Sequence, residues 1–304
     1  MNTQKKRIAQ EFVAAIRRRD IGKMRKLLAE GADPNTTESF TESGNVSVLN
    51  CAAGCQFSEA VELLLKAGAD PNLPETGGLE YSGGGTALHS AITGIAVPGS
   101  RSGEEAERLK IVDLLIDAGA DPNVVSDGDT LPLYSAATGG DIDIAQRLIK
   151  SGAYVKNTRP RCMPPLVGAA FGFSRMEGWK FEKIAVLLIE HGAPIDGQTT
   201  EGVTALMSAA YRGSECLVNL FLEHRADVNH QAKDGRTPLI CAAQFARYLR
   251  SEEELQLALR IVKRLLEAGA DPGLRSNKGE TAYDIASRNK NPLVADYIKR
   301  FTTH

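Results

Sequence analysis

The chain has 304 residues, 42% of them hydrophobic and 24% charged, enough apolar material for an extended core. A formal net charge of −2 offers no bulk attraction to nucleic acid or anionic membrane, so neither is expected as a partner. Five cysteines without framework spacing fit a reducing compartment, and no apolar run approaches the roughly 18 residues of a membrane span or forms a signal-like segment. A cytoplasmic location is therefore expected.

The first unit, residues 1–35, sets Phe12, Ala15 and Ile16 on one helix face and Leu27 and Leu28 on the next helix. Its Lys5, Lys6, Arg7 and Arg17, Arg18, Arg19 read as the polar outer side of a capping unit, with Glu11, Asp20 and Glu30 nearby. The unit closes on Gly31-Ala32-Asp33-Pro34-Asn35, which returns letter for letter at Gly68 to Asn72 and Gly119 to Asn123. Looser copies begin at Gly192, Arg225 and Gly269. A glycine directly behind an apolar run such as Val61-Glu62-Leu63-Leu64-Leu65 predicts a helix end in the left-handed region, and the Asn or Asp suits a turn. A second phrase follows each closing phrase, fullest as Thr237-Pro238-Leu239-Ile240-Cys241-Ala242-Ala243, with variants from Thr86, Thr204 and Thr281. Thr before Pro or Ala predicts an N-cap and first helical turn, and the paired alanines admit a close neighbour.

Opening and closing phrases together resemble the ankyrin repeat, with its Thr-Pro-Leu-His-x-Ala-Ala start and Gly-Ala-Asp-x-Asn end. The resemblance covers nearly the whole chain in about eight units. It implies an all-α solenoid of stacked helix-turn-helix units joined by β-hairpin-like fingers, one domain over 1–304. Within it, 1–35 would be the N-terminal cap, 36–273 the internal repeats and 274–304 the C-terminal cap.

The spacing of the two phrases measures the connections. Five fingers give 12 residues from closing to opening position (Gly119 to Leu131, for example), but the first two give 16 (Gly31 to Ser47) and 18 (Gly68 to Thr86). Their extra residues include Phe40, Leu79 and Tyr81, and long polar loops tipped with aromatics point to partner contact. From opening to closing position, three units run 21 residues (Ser47 to Gly68, Leu131 to Gly152, Thr204 to Arg225). Three others run 33 (Thr86 to Gly119), 28 (Pro164 to Gly192) and 32 (Thr237 to Gly269). Insertions therefore fall near 93–105, 171–181 and 244–255. Each carries Ser-x-x-Glu (Ser102/Glu105, Ser174/Glu177, Ser251/Glu254), a capping box that predicts outer helices about two turns longer at their N-terminal ends.

Chemistry-bearing motifs are sparse. His89 occupies the opening phrase, where the resemblance implies hydrogen bonding to neighbouring backbone. Cys51 and Cys55 lie four apart, half a tetrahedral zinc site with nothing nearby to complete it. Gly83-Gly84-Gly85-Thr86 lacks the lysine of a phosphate-binding loop. No catalytic residue, metal or cofactor is expected. Binding residues are sought instead on the inner helices. Seven residues after the opening position come Phe171 and Tyr211 in adjacent units, with Arg212 and Phe245 one position on. Tyr134 stands in the histidine slot, and Phe173 and Trp179 hang from an insertion. Aromatics and arginine on an exposed patch are typical anchors of protein interfaces. The expected function is non-enzymatic binding of another protein through groove, fingers and inserted edge, by a chain that is monomeric when unbound. The alternatives are an enzyme or small-ligand binder with a pocket near Trp179, and a self-assembling scaffold.

Overall fold

The computed structural model describes residues 2–41, 44–75, 85–94, 105–126, 128–156, 161–172, 177–245, 251–289 and 291–301, with side chains described outside 2–6, 38–41 and 44–45. Helices dominate: α1 (Asn2–Arg17), α2 (Ile21–Ala29), α3 (Val48–Gly54), α4 (Ser58–Lys66), α5 (Ala87–Thr93), α6 (Glu105–Asp117), α7 (Pro132–Gly139) and α8 (Ile142–Lys150). They continue as α9 (Pro165–Gly172), α10 (Gly178–Glu190), α11 (Ala205–Arg212), α12 (Glu215–Glu223), α13 (Pro238–Phe245), α14 (Glu252–Glu267), α15 (Ala282–Arg288) and α16 (Pro292–Lys299). Among the described residues the only strands are β1 (Thr37–Thr41) and β2 (Gly44–Ser47), an antiparallel pair in the first finger. No helix among the described residues is long and apolar enough to cross a membrane. The chain forms two compact units, Met1–Ala136 with Asp143–Tyr154, and Ala137–Ile142 with Val155–His304.

Each unit is an all-α solenoid stack. In the first, α3 packs on α1 and α5 to form an inner row, and α4 packs on α2 and α6 to form an outer row. In the second, α9, α11, α13 and α15 follow one another on the inside and α10, α12, α14 and α16 on the outside. Inner helices are short and almost wholly buried: every residue from Val48 to Gly54 is buried, as is every residue from Ala205 to Ala210. Small side chains at Cys51, Ser90, Gly168, Ser208 and Cys241, four residues after each opening position, let those helices approach closely. All five cysteines are thiols, and burial pushes the Cys241 thiol up to about 12, so it is an inert packing group.

The closing phrase works as a helix stop of one design. After α2, the Gly31 N–H donates to Leu28 O and the Ala32 N–H to Leu27 O, each at 3.0 Å, the paired bonds of a Schellman motif. The same pair recurs after α4 (Gly68 to Leu65, Ala69 to Leu64), after α10 (Gly192 to Ile189, Ala193 to Leu188) and after α14 (Gly269 to Leu266, Ala270 to Leu265). The glycine holds φ near +90° (Gly68 at +91°), a conformation that costs an L side chain about 1–2 kcal/mol. Arg225 takes that conformation without being glycine, at φ +61°. Arg225→Gly is therefore expected to stabilise the second unit by about 0.5–1 kcal/mol, glycine's extra unfolded-state freedom offsetting part of the relief. A urea midpoint that does not rise would refute this.

The last residue of the phrase ties successive repeats together within each unit. Asn72 donates from Nδ2 to Gly119 O at 2.9 Å and accepts from the Asp121 N–H at 2.7 Å. Asn35 bridges likewise to Gly68 O and the Asp70 N–H, Asn123 to Gly152 O and the Tyr154 N–H, and Asn229 to Gly269 O and the Asp271 N–H. The Asp two residues earlier folds the turn itself, as when Asp70 accepts from the Asn72 N–H at 2.8 Å. Asp196 stands in the Asn slot and only accepts, from the Asp227 N–H at 2.9 Å.

Candidate functional site: an aromatic and arginine face on the second unit

The opening phrase fixes where each inner helix starts, and hence which side chains leave its far end. Thr204 accepts from the Met207 N–H at 3.4 Å, and Thr237 accepts from the Ile240 N–H at 3.2 Å. Phe171 then emerges near the end of α9 and Tyr211 near the end of α11, 52% and 36% exposed. The Arg212 guanidinium lies over the Phe171 ring, 5.7 Å from its centroid, so two inner helices present one continuous patch.

A third group comes from a finger. The turn at 232–236 is closed by the Ala232 N–H to Arg236 O and the Gly235 N–H to Ala232 O. It is stacked on its neighbours by the Lys233 N–H to Glu201 O and the Asn277 N–H to Asp234 O. On this support Arg236 donates from Nε to Asp234 Oδ2 at 2.6 Å and from Nη1 to Gln244 Oε1 at 3.4 Å. Burial opposes its charge and is outweighed, the bonded Asp234 carboxylate contributing, so its pKa lies above the ordinary arginine value. Gln244 holds on α13 the slot that Tyr211 holds on the adjoining α11. Among the described residues Arg236 Nη2 has no hydrogen-bond acceptor. Arg236 was not among the residues expected from sequence, because its finger position carries no aromatic or repeat signal.

The other expected residues are placed less favourably. Phe245 is 5% exposed, and the sequence expectation for it is corrected here: its ring fills the space over Gly213, so it belongs to the core. Tyr134 is half-buried on α7, in the first unit. Phe40 has its backbone in β1 and its side chain outside the described residues, and Tyr81 and Phe173 lie outside them altogether. Trp179 is 53% exposed, in the first turn of α10, with Lys183 Nζ 4.9 Å and Lys180 Nζ 5.9 Å from its ring. About half of its surface is thus open to water. Behind it Phe181 is buried against Gly140, which fixes this turn to the stack.

Much of the inserted sequence, 95–104, 173–176 and 246–250, lies outside the described residues. The helices that follow are longer than the 9 residues of α4, α8 and α12: α6 and α10 have 13 and α14 has 16. Ser251 and Glu254 form the expected capping box on α14. Glu177 instead is the N-cap of α10, without a side-chain bond, because the helix starts at Gly178.

Two polar sites in the first unit are structural. His89 is buried; its Nδ1 accepts from the Thr86 N–H at 3.3 Å and its Nε2 lies 3.3 Å from Thr130 O, which uses both nitrogens of a neutral ring. Burial lowers its pKa and the Thr130 bond raises it, with a net lowering from 6.5. The unfolded chain therefore binds more protons below about pH 6.5, and the stability this ring contributes is complete above that pH and lost as pH falls toward the folded value. Between pH 7.5 and 5.5 the urea midpoint of the natural chain is expected to drop more than that of His89→Gln; equal drops would refute it. Glu75, which spacing gave no reason to notice, is a 5% exposed carboxylate accepting from Asn50 Nδ2 at 3.1 Å and Ser90 Oγ at 3.3 Å.

Comparison with known proteins bears on the same segments. A family model described as ankyrin repeats (3 copies) matches residues 176–256, and another described as ankyrin repeats (many copies) matches residues 103–149. The chain is similar to Ankyrin repeat and SOCS box protein 16 of Mus musculus, 30% identical over 152 residues, which make up 50% of this chain and 31% of that protein. The match thus spans less than a third of the relative's length.

Proposed function

This chain is an ankyrin repeat protein, of a family whose members generally act as protein–protein interaction modules, and we propose that it holds a partner protein on the inner face of its second unit. The observation that carries this is the pairing of exposed Phe171 and Tyr211 on adjacent inner helices with Arg212 laid over the Phe171 ring. Large apolar rings left in water at the ends of otherwise buried helices gain most from a partner that covers them. Because α9 and α11 are packed on one another before binding, contacts from both form at little entropic cost. On this reading Trp179, the long first fingers bearing Phe40 and Tyr81, and the lengthened outer helices are further contact points, and no bond is made or broken.

The double variant Phe171→Ala, Tyr211→Ala tests it. Both side chains are partly exposed, so the loss of stability in urea should stay below that of a core truncation, within about 2 kcal/mol of the natural chain. Proteins that co-precipitate with the natural chain from its source cell should be lost, with affinity falling on the order of a hundredfold, as truncation of two interface anchors predicts. Retention of every co-precipitating protein would place binding elsewhere.

A further inference from the structure

Resting on that reading, we infer that the segment bound at this face is acidic: an extended stretch of partner chain that sets an Asp or Glu carboxylate on Arg236 beside an apolar residue on Phe171 and Tyr211. Charge complementarity carries the inference. Arg212 follows Tyr211 on α11, and Arg236 reaches from the finger to Gln244, which holds on the adjoining α13 the slot that Tyr211 holds on α11. The carboxylate of Asp234 orients Arg236 through two bonds, accepting from its backbone N–H at 3.1 Å and from Nε at 2.6 Å, and Gln244 takes Nη1. Nη2 is left with no acceptor among the described residues. A guanidinium held by its inner edge offers its remaining donors in a fixed direction, and a carboxylate is the acceptor that matches them best. The half-buried position strengthens the bond relative to one made in open water. A basic segment would meet like charge at Arg212 and Arg236, and a wholly apolar one would cover Nη2 unsatisfied.

The test selects from a displayed library of random twelve-residue peptides against the full chain, then measures synthetic winners by fluorescence anisotropy. Enriched sequences are expected to carry Asp or Glu within a few residues of an aromatic or Leu. Changing that acid to its amide, or making Arg236→Gln, should weaken binding at least tenfold, and Arg236→Lys should recover only part of it. Affinity should also fall as salt rises. Neutral or basic winners that still need Phe171 and Tyr211 would overturn the acidic assignment and leave the binding face standing. Acidic winners indifferent to Arg236→Gln and Arg212→Gln would overturn it too. An empty selection would reject a short acidic segment as the occupant, leaving a folded partner to the co-precipitation experiment.

Discussion

Gly213→Ala is expected to destabilise the second unit by about 3 kcal/mol, a large effect for one methyl group. Gly213 ends α11 in the left-handed region at φ +74°, where an L residue pays about 1–2 kcal/mol. The added Cβ would also sit 2.1 Å from Phe245 Cζ and 2.5 Å from Cε2, inside the ring's van der Waals envelope. Overpacking of that kind costs about 1–3 kcal/mol more. The two contributions separate in a double-mutant cycle. Phe245→Leu frees the space, so the double variant should be more stable than the sum of the single effects by about 1 kcal/mol or more. Urea unfolding of the four proteins decides it, and simple additivity would mean the ring does not press on Gly213.

Glu75→Ala should cost the first unit a similar amount, about 3 kcal/mol. The Glu75 N–H also donates to Gly85 O at 2.7 Å, joining the two ends of the second finger. Asn50 is held in turn by the Ser47 hydroxyl, which donates to Asn50 Oδ1 at 2.9 Å. Truncation takes the acceptor from the buried Ser90 hydroxyl and leaves the Asn50 amide only a long 3.5 Å bond to Gly85 O, at about 1–3 kcal/mol for each group left poorly satisfied. Glu75→Gln keeps an acceptor oxygen and should cost less. Hydrogen exchange at amides of α3 and α5 should accelerate in Glu75→Ala while amides of α13 keep their rates. Unchanged protection in α3 would show that the network contributes little.

The repeating phrases make the architecture legible in the sequence. Glycine behind a leucine run has few meanings, and Thr-Pro before paired alanines has fewer, so helix ends and the small-residue inner row could both be placed. From sequence the bridging asparagines read as turn formers only. Their partners lie 33, 47, 29 and 40 residues on, a spacing that the insertions make irregular. Burial was the harder question. Arg212 and Phe245 occupy the same slot of successive units, eight residues after Thr204 and Thr237, yet one is exposed and the other is core. An apolar ring gains by entering the space that a glycine leaves, and a guanidinium does not. Glu75 was invisible because nothing in an isolated acid announces that it will fold inward.

The asparagine bridges have a consequence for how such a chain tolerates growth. Because each clamps the carbonyl and amide just beyond an outer helix, the C-terminal end of that helix acts as a datum, and length is measured backward from it. In the second unit α14 ends two residues before Gly269, whose carbonyl Asn229 clamps, and its surplus turns project the other way. New sequence added there leaves every bridge in register, so this border of the molecule is free to acquire novel shapes while the opposite border stays fixed.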